Sequence, residues 1–379
     1  MTVDATVDVA VLDPPETSAA KKHSNPAWRA ARIAISLVII VACFAYAIPQ
    51  LADYSKVWQA IATMTTLQIA ILVLATAFNL LTYWWQNMAS LPGLKLWPAA
   101  VNNQTSTSVA NTMPAGGAVA VGVSYQMYHA WGFSGAEVGL SYTLTALWNM
   151  FAKLALPAIA LALILATGGG SKALITAALV GILILVAAIV MFALILWKKT
   201  LALRIGRGLG RAASWGSRSI GRARTFDWGE VAVRFRRRSI DLIVRRWIPL
   251  TATTIVSHLG LFMVLLLSLR FVGISGSEVS WAQVLGVFAF GRLLTALPIT
   301  PGGVGIVELA YIGGLILAGR ANATVSSDLF HAQVAAGVLI FRALTYGIQI
   351  PLGAFTYAIY RANRSWRRPI VNRAPVPAG

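Results

Sequence analysis

The run Leu297-Pro298-Ile299-Thr300-Pro301-Gly302-Gly303-Val304-Gly305-Ile306-Val307-Glu308 places two prolines, three glycines and a carboxylate inside a long apolar region. Each proline ends or kinks a helix, because it lacks an N–H and its ring collides with the preceding turn. In a bilayer, broken backbone survives only where protein covers it or where it lines a watery cavity. The run is therefore a re-entrant turn between two half-helices or a sharply kinked helix. In either case polar backbone meets a substrate at membrane depth.

The surroundings decide that the setting is a membrane. Of the 379 residues 58% are hydrophobic and 11% charged, with a mean hydropathy of +0.71; soluble domains carry about 25% charged residues. The expected fold class is an all-α integral membrane protein. It is a polytopic helical bundle with two inverted repeats, each holding a Pro/Gly-broken re-entrant helix pair. The lone cysteine, Cys43, excludes an intrachain disulfide or a cysteine metal cluster, and the four histidines show no metal-ligand spacing. No GxxxxGK[ST] loop is present, so built-in ATP hydrolysis is not expected.

The net charge of +19 is unevenly spread: 23 of the 31 basic residues lie before the first span, in 198–246, or after 360. That concentration is the positive-inside signature of cytoplasmic loops, not a nucleic-acid footprint. It places both termini in the cytoplasm and the protein in the cell membrane. The expected division is a disordered tail over 1–28, a first-repeat bundle over 29–197 and a basic amphipathic loop over 198–246. A second-repeat bundle over 247–360 and a basic tail over 361–379 complete it. Within the loop, Arg204, Arg207, Arg211, Arg218 and Arg222 fall on one helical face, a surface for anionic lipid headgroups.

Spans are expected near 33–50, 66–85, 138–167, 173–197, 247–270 and 331–359, with a short loop holding Asp53 and Lys56. The stretch 86–135 is too polar at Asn102-Asn103-Gln104-Thr105-Ser106 for an ordinary span. Its centre, Asn111-Thr112-Met113-Pro114-Ala115-Gly116-Gly117, repeats the proline and paired glycines of the opening run. Each half thus reads as a span, a broken pair and a long span. Counting passes from the basic ends sends the two pairs in from opposite sides, as in alternating-access transporters. The simpler reading is two kinked helices packed through glycine contacts.

Ionisable groups inside spans are costly, so Glu308, Arg342, Arg292 and Lys153 are pathway candidates, with Pro114, Gly116, Gly117, Pro301, Gly302 and Gly303 at the turns. Arg292, Arg342 and Lys153 would draw in an anionic headgroup while Glu308 balances charge or carries a proton. A structural pair of Glu308 with Arg342 or Arg292 is the bland alternative, compatible with the first. His258 and His331 read as packing or interfacial residues. No catalytic constellation is visible, so an enzyme is not expected, and neither a cofactor nor a metal is.

The run 297–308, with Phe341-Arg342-Ala343-Leu344-Thr345-Tyr346 and Pro351-Leu352-Gly353, resembles the transmembrane, flippase-like region of lysylphosphatidylglycerol synthases. The resemblance spans roughly residues 30–360. It implies a lipid-flipping bundle with two inverted re-entrant repeats and carries Glu308 and Arg342 over as pathway positions. Full-length synthases add a soluble aminoacyl-transfer domain after the bundle, whereas this chain ends nineteen residues past Tyr360, so the bundle alone is expected. Many relatives also carry charge after the first Pro-Gly turn, where Ala118-Val119-Ala120-Val121-Gly122 is neutral here. The expected function is movement of a phospholipid or lipid-linked glycan between leaflets. The alternative is a non-transporting lipid-binding partner of a separate synthase or glycosyltransferase.

Overall fold

A computed structural model describes residues 53–113, 116–166, 172–197, 228–295 and 300–363, together with Val38 and Trp366. The expected first span, both tails, Pro114, Pro298 and the five loop arginines Arg204, Arg207, Arg211, Arg218 and Arg222 lie outside the described residues. Among the described residues the chain is helical throughout, without strands. In order, the helices are α1 (Tyr54–Ala62), α2 (Thr66–Ser90), α3 (Leu96–Thr112), α4 (Gly116–Ala130), α5 (Gly135–Ala166) and α6 (Lys172–Trp197). They continue with α7 (Trp228–Phe271), α8 (Trp281–Leu294), α9 (Ile306–Gly319), α10 (Ser327–Arg342) and α11 (Gln349–Ala362). A 3-10 turn, Pro301–Gly303, lies between α8 and α9, and a π turn, Ala343–Gly347, joins α10 to α11.

Four segments among the described residues are long and apolar enough to cross a membrane: Thr66–Ser90, Gly135–Ala166, Ser239–Phe271 and Ser327–Ala362. The outer faces of these and of α6 are apolar, with Leu74 of α2 and Leu183 of α6 more than two-thirds exposed. A water-soluble protein does not tolerate apolar surface on that scale, whereas lipid covers it.

One expectation needs correction. The loop holding Asp53 and Lys56 is mostly helix α1: the Asp53 carboxylate caps it by accepting from Ser55 N at 2.8 Å, and Lys56 Nζ pairs with Asp328 Oδ2 at 2.9 Å. The boundary drawn at 246 between basic loop and span lies inside one helix, since α7 runs for 44 residues through Pro249. At 1.5 Å per residue it is about 66 Å long, twice the hydrocarbon thickness, so its basic first part belongs outside the lipid.

The short helices form two hairpins. α8 and α9, 14 residues each, lie side by side with Gln283 Nε2 of α8 donating to Ala318 O of α9 at 3.2 Å, so their outer ends adjoin. α3 and α4 pair likewise, 17 and 15 residues long, with Asn102 of α3 donating to Ser124 O of α4 at 3.5 Å. A Cβ on Gly116 would stand 2.5 Å from the Ala110 carbonyl oxygen, so only glycine lets α4 turn back against α3. A Cβ on Gly117 would meet nothing within 4 Å, so packing makes no such demand there.

Polar contacts assemble these parts, since lipid offers helices little hydrophobic drive to associate. The polar stretch of α3 is not exposed; it packs on α11, where Thr105 and Thr356 hydroxyls meet at 3.1 Å and Ser108 Oγ donates to Ile350 O at 2.9 Å. Between α2 and α7, Asn79 Nδ2 donates to Ser257 O at 2.9 Å and Gln86 Nε2 to Thr254 Oγ1 at 2.6 Å. The larger apolar core, including Phe288, Tyr311, Phe330, Leu265 and Leu269, joins α7 to the second hairpin and α10. A smaller aromatic core of Tyr128, Trp131 and Phe133 closes the base of the first hairpin.

The base of the second hairpin is clasped by Glu278. Its carboxylate accepts from Ser275 N and Oγ at 2.9 Å, from Thr324 N at 3.0 Å and from Thr324 Oγ1 at 2.7 Å. Burial pushes this carboxyl up, but the hydrogen bonds from Thr324 and Ser275 outweigh it and hold the pKa at about 2. A pKa depressed on folding stabilises the fold above the unfolded value and loses that contribution as pH falls through the folded one. Glu278→Gln is expected to cost about 1.5–3 kcal/mol at neutral pH. In thermal melts of the purified protein, the gap between wild type and variant should be widest above pH 4.5, narrow below it and close toward pH 2. A gap independent of pH would contradict this.

Candidate functional site

At the tip of the second hairpin, the described part of the run, 300–308, does what its glycines require. The helix stops at Leu294 and restarts at Ile306, and Gly302, Gly303 and Gly305 adopt φ of +59°, +72° and +88°. These are left-handed conformations that side chains resist. At Gly302 a second constraint is added, since any Cβ would run into the Tyr346 ring.

The tip is secured by charge. Glu308, in the first turn of α9, turns back so that Oε2 accepts from Gly305 N at 2.7 Å, satisfying a donor the helix start leaves open. Its other oxygen accepts from Arg342 Nε at 2.6 Å, and Arg342 Nη2 donates to Gly302 O at 3.1 Å. The pair is well shielded, with the Glu308 side chain 3% and that of Arg342 12% exposed. The guanidinium also lies 4.6 Å from the centre of the Tyr346 ring, a cation–π geometry.

Tyr346 carries the knot to the first hairpin. Its hydroxyl donates to Asn111 O at 2.7 Å, in the last turn of α3, and α3 packs against the Pro301–Gly303 turn. The two hairpin tips therefore meet. Pro301–Gly303, Glu308 and Arg342 converge there, and Gly116 and Gly117 follow the bridged turn of the first hairpin.

Arg292 and Lys153 do not join the ion pair. Arg292, in the last turn of α8, and Lys153, midway along α5, lie within electrostatic range of each other and of His258 of α7. Phe288, one turn before Arg292, packs its ring 5.7 Å from that of Phe262, one turn after His258. Asn149, one turn before Lys153, is joined through Gln86 to Thr254, one turn before His258. Neither cation has a hydrogen-bond or ion-pair partner among the described residues, and Arg292 Nε is buried without one. His258 is 4% exposed; its Nδ1 lies 3.0 Å from Thr254 O, while Nε2 is buried without a partner. Counted from Ala166, Phe271, Trp281 and Ser327, the helix ends farther from the hairpin tips, Lys153, His258, Arg292 and Arg342 stand 11 to 15 residues in. At 1.5 Å per residue that is about 17–22 Å along the helices, about half of a bilayer about 40–45 Å thick with its headgroups. Tyr311, fully buried, lies against Gly291, the neighbour of Arg292, and its ring is 5.7 Å from that of Phe341, the neighbour of Arg342, and so links the two groups.

Of the two compatible readings, the structural pair is formed, by Glu308 with Arg342 and not Arg292, and Lys153 and Arg292 have no ion-pair partner among the described residues. Sequence reasoning assigned no role to Tyr346 and read His258 as a packing or interfacial residue. The signal for Tyr346 was its place four residues after Arg342, one helical turn along; for His258 it was a position one turn after Thr254 on a polar face.

Breaking the pair from one side leaves a buried charge alone, which costs about 3–5 kcal/mol, while removing both charges costs less. Arg342→Met should therefore lower the melting temperature more than the double variant Glu308→Gln/Arg342→Met. Equal losses, or a worse double variant, would show that the two charges do not interact as a pair.

Residues 33–353 match the family model described as the lysylphosphatidylglycerol synthase TM region. No curated protein matches the chain. The matched residues take in both hairpins, the Glu308–Arg342 knot and the Lys153–His258–Arg292 cluster, and the chain belongs to the lysylphosphatidylglycerol synthase transmembrane-region family.

Proposed function

We propose that this protein moves a lipid, a phospholipid or lipid-linked glycan with an anionic headgroup, between the leaflets of the cell membrane without hydrolysing nucleotide. It acts as a transporter and not as an enzyme. The family assignment gives a multi-pass membrane protein with a lipid-related role. The observation that carries the finer reading is the meeting of two hairpin tips, bridged through Tyr346, beside an ion pair and two uncompensated cations at mid-depth.

What supports an inverted arrangement is the position of the hairpin bases. Trp131, at the base of the first hairpin, packs its ring 6.0 Å from that of Tyr360 near the end of α11. Glu278, at the base of the second, binds Thr324 just before α10 begins. Since α10, the π turn and α11 form one crossing from Ser327 to Ala362, its two ends lie at opposite faces. The hairpins then enter from opposite leaflets, as re-entrant pairs do in inverted-repeat transporters. With cytoplasmic termini, the first opens to the cytoplasm and the second to the outside.

A lipid crossing here keeps its tails in hydrocarbon while its headgroup follows the polar seam, where fixed charges replace water. The test is leaflet exchange of a headgroup-labelled phospholipid in liposomes reconstituted with the full chain. Wild type should exceed empty liposomes by about tenfold or more, and Arg342→Met and Tyr346→Phe should fall toward the empty rate. Equal exchange in all four preparations would remove the transport reading. Lipid retention without exchange, with co-purification of a synthase or glycosyltransferase, would establish the partner reading in its place.

A further inference from the structure

The Lys153–His258–Arg292 cluster has more to say about the headgroup than its sign. A lysine or arginine at the centre of a membrane helix costs about 2.5–3.5 kcal/mol. Two stand here, on α5 and α8, within electrostatic range of each other, and no described carboxylate pairs with either. Glu308, the acid nearest in depth, has both oxygens engaged, one by Arg342 and one by Gly305 N. An arrangement of this kind is stable when an anion or water completes it.

His258 adds an acceptor beside the two cations. Its Nδ1 faces the Thr254 carbonyl at 3.0 Å, and a carbonyl only accepts, so Nδ1 carries the proton. In the neutral ring Nε2 is then a lone pair, buried and unpartnered among the described residues. It can take an N–H from Lys153 or Arg292 and so orient that cation toward an anion. A phosphodiester brings one negative charge against the two cations. A phosphomonoester, with a second pKa of about 6, brings up to two near neutrality and balances both.

We infer that Lys153, Arg292 and His258 form a phosphomonoester-binding site at mid-depth. The two cations hold the anionic oxygens, and His258 Nε2 accepts an N–H from one of them and orients it. The inference deepens the transport reading and rests on it for the lipid as source; a lipid-borne monoester and free phosphate share this chemistry.

The purified full chain in detergent provides the test, with phosphatidic acid as monoester, phosphatidylglycerol as diester, diacylglycerol as uncharged control and inorganic phosphate as competitor. Wild type should bind phosphatidic acid about tenfold more tightly than phosphatidylglycerol and diacylglycerol least. Arg292→Gln and Lys153→Met should each weaken phosphatidic acid by about tenfold or more. His258→Leu removes the acceptor and should weaken both phospholipids, phosphatidic acid the more. Inorganic phosphate at millimolar concentration displaces phosphatidic acid if the site also takes the free ion, and fails to do so if the acyl chains are required. Equal wild-type affinity for monoester and diester overturns the assignment with no substitution needed. So does unchanged phosphatidic acid binding in well-folded Arg292→Gln and Lys153→Met. Wild type that binds phosphatidic acid but exchanges no lipid keeps the site and removes transport; exchange without a binding effect in the variants does the reverse.

Discussion

The bond from Arg342 to Glu308 is the interaction on which the interior of the bundle depends. An isolated carboxylate or guanidinium at this depth costs several kcal/mol even after relaxation, and the pair is tolerable only because every strong group in it is used. Glu308 accepts from Arg342 and from Gly305 N; Arg342 donates to Glu308 and Gly302 O and lies against Tyr346. That requirement explains the local sequence. The helix must break so that Gly302 O and Gly305 N are free to bond to side chains, and glycine must stand at 302 so that Tyr346 can approach.

The same logic, polar satisfaction before apolar packing, runs through the assembly. Hydrocarbon solvates apolar faces as well as protein does, so α2 and α7 are specified by Asn79 and Gln86, and α3 and α11 by Thr105, Ser108 and Thr356. Gly353 allows this last approach, since a Cβ there would collide with the Gln104 carbonyl and the Ser108 side chain. The stretch 102–106 is thus polar because it builds a helix interface.

This division also explains how much was legible in the sequence. A broken helix at 297–308, a second break near Gly116, and charges at 308 and 342 are legible, because proline, glycine and ionisable residues are conspicuous in apolar surroundings. The partner choice of Glu308 was open between Arg292 and Arg342, because it depends on which helix crosses the hairpin tip, a tertiary fact. Tyr346 had no role assigned and His258 read only as a packing or interfacial residue, since an aromatic or a histidine in a span is ordinary until its neighbours are known. The boundary placed at 246 leaves no mark on the backbone for a different reason: a basic amphipathic helix and an apolar span differ in solvent, and nothing in α7 obliges the backbone to break where the solvent changes.

The links between the two hairpins are unequal in strength. Within the second hairpin and α10, the tip is held by a buried ion pair whose rupture costs about 3–5 kcal/mol. Across to the first hairpin, the tip contact runs through Tyr346 to Asn111 O, a neutral hydrogen bond worth about 0.5–1.5 kcal/mol. The charges are distributed in the same unequal way, with Glu308 on the second hairpin and the run Ala118-Val119-Ala120-Val121-Gly122 of the first neutral. A bundle made this way divides at the Tyr346–Asn111 contact at less cost than anywhere through the knot. Separation there leaves Glu308 neutralised by Arg342, and Lys153 and Arg292 without an ion-pair partner among the described residues.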